Sequence, residues 1–169
     1  MRGLARLIAE NPRELDNVEW RQLEQILHEV FEGLGFESRL TRSGKDGGFD
    51  LELKTRQDRK EETYLVEVKH WTTKKPGTKY LNKLIEVAAS RAATGGILLS
   101  TSGFAETIYK GIVEWPVPVR LGGRDKVVSL CKAYSRLSTG LWLPEPVGSD
   151  ILFQGTTHKG KLYQTALKA

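Results

Sequence analysis

Two short runs on either side of a charged turn constrain this chain more than any other feature. Phe49 to Arg56 (FDLELKTR) and Glu61 to His70 (EETYLVEVKH) read as strands joined by the four-residue turn Gln57-Asp58-Arg59-Lys60. Side chains alternate along a strand, so Phe49, Leu51 and Leu53 share one face while Asp50, Glu52 and Lys54 share the other. In the second run Tyr64, Val66 and Val68 face one way, and Leu65, Glu67 and Lys69 the other. A symmetric hairpin sets Asp50 directly opposite Glu67. Opposed Cβ atoms lie about 4.5–5.5 Å apart, and like charges placed there destabilise the pair. Such a sequence needs a cation between the carboxylates, and hard oxygen donors suit Mg²⁺. The spacing predicts Asp50, Glu67 and Lys69 together on the solvent side of the hairpin.

The flanking sequence predicts the surroundings of that hairpin. Asp16 or Asn17 is expected to cap a helix, with Glu19 in its first turn. Trp20, Leu23, Leu27, Val30, Phe31 and Leu34 form its apolar face, and Gly35 ends it. Glu24 falls at the edge of that face and should point toward the sheet. Phe36 to Thr41 reads as the first strand and Ser43 to Gly48 as a glycine-rich loop. A helix over Thr78 to Ala93 turns Leu81, Leu84, Ile85 and Ala88 inward, and the wholly apolar Gly96 to Ser100 is a buried strand. Phe104 to Val113 is expected to be helical, Val117 to Leu121 a strand, and Asp125 to Leu137 an amphipathic helix. The order αβββαβαβα predicts an α/β fold, a mixed central sheet flanked by helices on both faces. Residues 1–139 read as one domain, and 140–169, where Gly and Pro become frequent, as a strap, linker or disordered tail.

Composition narrows the classes. The 169 residues, 39% of them hydrophobic, suffice for one ordinary core. No run of eighteen apolar residues exists, which excludes a transmembrane helix, and Arg6 interrupts the only apolar patch near the N-terminus, where a secretory signal would be continuous. Cys131 is the single cysteine, so neither an internal disulfide nor a cysteine-rich zinc site is available, and a reducing cytoplasm fits best. The net charge of +5 is compatible with a polyanion partner. Its distribution says more: Arg56, Arg59, Lys60, Lys69, Lys74, Lys75, Lys79 and Lys83 crowd around the acidic pair.

With RQLEQILHEVFEGLGF, GKDGGFDLEL, VEVKHW and GGILLSTSGF in that order, the chain resembles the PD-(D/E)xK nuclease superfamily, and within it the Mrr-like restriction endonucleases. The resemblance covers Trp20 to Leu121, about three-fifths of the sequence. It implies a restriction-endonuclease-like αβββαβ core and a Mg²⁺-dependent endodeoxyribonuclease of a restriction or antiphage-defence system, with Mn²⁺ as a substitute metal. The family's metal-binding Asp matches Asp50, its (D/E)xK matches Glu67-Val68-Lys69, and its helical glutamate matches Glu24, eleven residues before Gly35. Asp46 takes the earlier, less essential acidic position. The implied ligands are Asp50, Glu67 and the Val68 carbonyl, with Glu24 helping directly or through water; Lys69 would orient or deprotonate the attacking water. Arg42, Lys45, Lys74, Lys75, Lys79 and Lys83 are candidate contacts to double-stranded DNA. Mrr proteins usually carry a separate DNA-reading domain, and no winged-helix pattern has room here. Target choice is therefore left open, and a homodimer, or a further sensor or ATPase domain or subunit, is a candidate partner.

Several of these residues have plainer readings. Exposed lysines are the default protein surface. His70 faces away from Lys69 and reads as structural; Trp71 reads as a strand-end cap rather than a base-stacking ring; Thr101-Ser102-Gly103 reads as a turn with a helix cap; Cys131 reads as buried and inert. A second match, Glu52-Leu53-Lys54 with Glu37, lacks the glycine-rich turn. Two other functions compete: a catalytically silent nucleic-acid-binding domain of the same fold, and a junction resolvase or RNA-directed nuclease.

Overall fold

A computed structural model describes residues 1–41, 47–57, 60–109, 116–140, 149–158 and 161–162. Helix α1 (Arg2–Glu10) opens the chain and was not expected. Only Ala5 and Ile8 are buried from it, and they pack with a helix formed more than a hundred residues later. Pro12–Asn17 makes a 3₁₀ segment capped by Asn11, so neither Asp16 nor Asn17 caps the following helix. Helix α2 (Trp20–Gly33) instead starts at Glu19, whose amide donates to Gln22 Oε1 at 3.1 Å in a reciprocal capping box. Gly35 follows it at φ +94°, a conformation open to glycine and strained for most residues.

Strands β1 (Glu37–Leu40), β2 (Leu51–Gln57) and β3 (Lys60–Lys69) form an antiparallel meander. Leu51 faces Val66 and Gln57 faces Lys60, the register that the symmetric hairpin predicts. Helix α3 (Thr78–Ser90) carries the chain over to β4 (Gly95–Ser100), parallel to β3, and β5 (Val119–Gly122) adds a further parallel neighbour. Helix α4 (Arg124–Ser138) is the partner of α1. Beyond it, α5 (Ser149–Phe153) and the two-residue strands β6 (Thr157–His158) and β7 (Lys161–Leu162) complete a 7-stranded mixed sheet in sequential order. The stretch expected as a helix from Phe104 shows a 3₁₀ turn at Glu106–Tyr109, and its end lies outside the described residues.

The sheet is covered on both faces. Leu51, Leu53, Val66, Val68, Ile97 and Leu99 pack beneath α1, α2 and α4. Leu65, Leu98, Val119 and Leu121 pack beneath α3, through Leu81, Leu84, Ile85 and Ala88 as the periodicity predicts. Cys131 is fully buried and its thiol is pushed up to about 12 by that burial. Among the described residues, no helix is long and apolar enough to cross a membrane.

Candidate active site

Asp50 stands one residue ahead of β2, in a turn built by glycine. Gly47 and Gly48 have φ of +73° and +109°, and a Cβ on Gly48 would come within 2.9 Å of the Lys83 side chain. The end of β1 fastens this turn: Thr41 Oγ1 donates to the Phe49 carbonyl at 2.6 Å and the Thr41 amide to the Asp50 carbonyl at 2.9 Å. The Asp50 amide reaches the Val66 carbonyl at 2.7 Å, one step out of line with the ladder. Past that point no strand among the described residues pairs with β3 on this edge, and the Asp50 carboxylate takes over, accepting the Val68 amide at 2.7 Å. A strand residue directs its N–H and C=O to the same edge, so the Val68 carbonyl opens toward Asp50 as well.

Asp50 is the hub of three carboxyl groups, near enough to Glu67 from β3 and Glu24 from α2 for their charges to act on one another. Burial, then the Glu67 charge, pushes the Asp50 carboxyl up to about 6. Burial, then the Asp50 charge, pushes Glu24 up to about 7. Glu67 is only 9% exposed, because α3 covers its side of the sheet. This corrects the expectation of a solvent-side site. Lys69, two residues on and on the same face, forms an ion pair with Glu67. Its nitrogen lies 5.1 Å from the centre of the Tyr80 ring and 5.8 Å from that of Trp71, and the two rings meet edge to face at 5.2 Å. Tyr80 carries no sequence signal for this position; the turn of α3 brings it there.

These donors fit a hard divalent cation chemically: three carboxyl groups and a carbonyl, all oxygen, crowded enough that burial and repulsion raise two of them. As they stand, no three His, Cys, Asp or Glu side chains among the described residues surround one point closely enough to hold an ion. The rival pattern is spoken for. Glu52 lies between Arg39 at 3.6 Å and Arg91 at 4.0 Å, and Glu37 is paired in register with Lys54.

Around the site, Lys74, Lys75, Lys79 and Lys83 are all exposed. Arg42, Lys45 and Asp46 lie outside the described residues. His70 is locked: one ring nitrogen contacts Thr101 Oγ1 at 2.6 Å and the other donates to the Val18 carbonyl at 2.7 Å. Ser102 Oγ donates to the Lys74 carbonyl at 2.6 Å, tying the loop after β4 to the lysine-rich segment.

The meander, the parallel β3–β4 crossover and the helices on both faces define a restriction-endonuclease-like α/β domain. The chain belongs to the Mrr catalytic-domain family of restriction endonucleases, whose sequence profile matches residues 15–131. It is 39% identical over 153 residues to the uncharacterized protein y4cE of Sinorhizobium fredii (strain NBRC 101917 / NGR234), covering 89% of this chain but only 39% of that protein. Its fold is similar to that of the DNA modification-dependent restriction endonuclease AspBHI, with a TM-score of 0.51 and 21% identity over 83% of this chain and 37% of the other. MspJI restriction endonuclease, solved with a 27-mer oligonucleotide, aligns at a TM-score of 0.46 and 18% identity over 82% of this chain and 33% of that one. The chain thus spans well under half the length of these three proteins.

Proposed function

We propose that this chain is a divalent-metal-dependent endonuclease domain that hydrolyses phosphodiester bonds of double-stranded DNA, the effector part of a restriction or defence protein. Family membership supports the reaction class. The observation that carries the reading is the Asp50 carboxylate standing in for a missing ladder partner at Val68 while meeting Glu67 and Glu24. Asp50, Glu67, Glu24 and the Val68 carbonyl would hold Mg²⁺, or Mn²⁺ in its place. When bound, such an ion lowers the pKa of a water and offsets charge on the attacked phosphate.

The protein's own groups do the rest. The Val68 amide fixes the Asp50 carboxylate against rotation. Glu67 and the two aromatic rings confine the Lys69 nitrogen to the site, where it orients the attacking water and stabilises the phosphate. In-line attack would leave a 5′-phosphate and a 3′-hydroxyl. Lys74, Lys75, Lys79 and Lys83, all exposed, would contact the backbone, a sequence-independent attraction. Target choice would belong to the rest of a longer protein, of which this chain matches 39% in y4cE.

The test is plasmid digestion with Mg²⁺, Mn²⁺ or chelator, using the wild type beside Lys69→Ala. Nicking should require the metal and fall by at least ~10²-fold in the variant, with its circular dichroism unchanged. Undiminished cleavage by Lys69→Ala, or cleavage in chelator, would rule out this site.

A further inference from the structure

Trp20 belongs to the apolar face of α2 by its spacing, yet 46% of it is exposed. The Arg21 guanidinium lies over its ring at 4.7 Å, which occupies one aromatic face and leaves the other. That ring borders a cleft of about 510 Å³ between the start of α2 and the ends of β3 and β4, a volume in the ordinary range for small-ligand sites. Trp71 lines the cleft too, and His70 and Thr101, joined to each other, contribute to its wall.

The electrostatics of the cleft disfavour phosphate. Its carboxylates are Asp16 and Glu19, the first paired with Arg124 at 2.7 Å and the second engaged in the capping box of α2. The one arginine lining it, Arg124, is committed to Asp16 and to the Pro12 carbonyl at 2.8 Å, and no lysine among the described residues lines it; the exposed lysines follow Trp71, on the neighbouring rim. What remains is an aromatic face with hydroxyl groups nearby, suited to a flat, uncharged ring. The position is equally specific. Trp20 precedes Glu24 by about one helical turn, ~5.4 Å along the axis, and Glu24 lies near enough to Asp50 to feel its charge. His70 and Trp71 follow Lys69 directly on β3.

We infer that this cleft is a subsite for one nucleobase of the strand being cut, stacked on Trp20 beside the reacting phosphate. The inference rests on the nuclease reading above. A base drawn out of its stack and held there would bring its own phosphate toward Asp50 and Lys69, so Trp20 is a substrate-positioning residue.

Binding in chelator tests this without any cleavage. The full chain is irradiated with oligonucleotides carrying 5-iodouracil, single-stranded and duplex, and the adduct is mapped by mass spectrometry. The expected adduct lies in the tryptic peptide Glu14–Arg21. Trp20→Ala should weaken oligonucleotide binding about tenfold, as loss of one base stack does. Trp20→Phe should retain most of the affinity, and an abasic oligomer of equal length should not distinguish wild type from Trp20→Ala. Adducts forming only elsewhere, or equal affinities of wild type and Trp20→Ala for base-bearing DNA, would overturn the subsite while leaving the nuclease reading intact. Wild-type protein that binds no DNA at all would overturn both.

Discussion

Replacing Asp50 by asparagine should stabilise the metal-free protein at neutral pH and change little in mild acid. Burial and the Glu67 carboxylate move the Asp50 carboxyl from its ordinary 3.8 to about 6. Below pH 3.8 the group is protonated in both the folded and the unfolded chain, and its contribution to stability is whole. As the pH rises, the unfolded chain releases its proton first while the folded site resists, so stability falls and the loss is complete above pH 6. About two pH units at ~1.4 kcal/mol each set a ceiling near ~3 kcal/mol. Partial solvent access lowers that to ~2 kcal/mol. Asparagine keeps an Oδ1 acceptor for the Val68 amide and removes only the charge. Urea unfolding in chelator should therefore show Asp50→Asn ahead of wild type by ~2 kcal/mol at pH 7.5, or ~4–8 °C in Tm, with the gap nearly closed at pH 4. A variant equally destabilised at both pH values would refute the argument from burial and repulsion.

The same linkage would govern the proposed metal. Mg²⁺ should stabilise the fold at pH 7.5 by ~2.7 kcal/mol at a hundredfold excess over its Kd, read as a higher midpoint of thermal unfolding, and by much less at pH 5, where protons occupy Asp50 and Glu24. Equal gains at both pH values would place the ion elsewhere. Gly33→Ala should destabilise the fold by ~1–3 kcal/mol although alanine is the better helix former. Its Cβ would lie 2.3 Å from the Tyr134 ring and displace the hydroxyl that donates to Glu29 at 2.9 Å, a shift readable by urea titration.

The hairpin was legible because period-two alternation and a short turn set its register almost by themselves, and so Asp50 opposite Glu67 could be read before any fold was known. Leu81, Leu84, Ile85 and Ala88 were legible for the same local reason. Features created by distant parts of the chain were not. Helix α1 buries little and depends on α4 for a partner. The burial of Glu67 depends on α3 lying over the strand, and the cap of α2 fell to Glu19 because Pro12 draws Asp16 and Asn17 into a 3₁₀ segment of their own. The exposure of Trp20 escaped because helical spacing tells which side a residue occupies, and Trp20 lies where the sheet has already ended.

Lys126 shows how firmly the segment around α5 is tied in. Its side chain is 3% exposed, burial pushes its amine down to about 7, and the nitrogen donates to the backbone carbonyls of Ile151 and of Gln154, the latter at 2.6 Å. Those two carbonyls make an interior amine tolerable on α4. A protein shortened just after α4 would strand that buried amine without either carbonyl and would take Leu152 out of the core. A recombination junction that respects this domain therefore lies beyond Gln154, however much the sequence before it looks like a hinge.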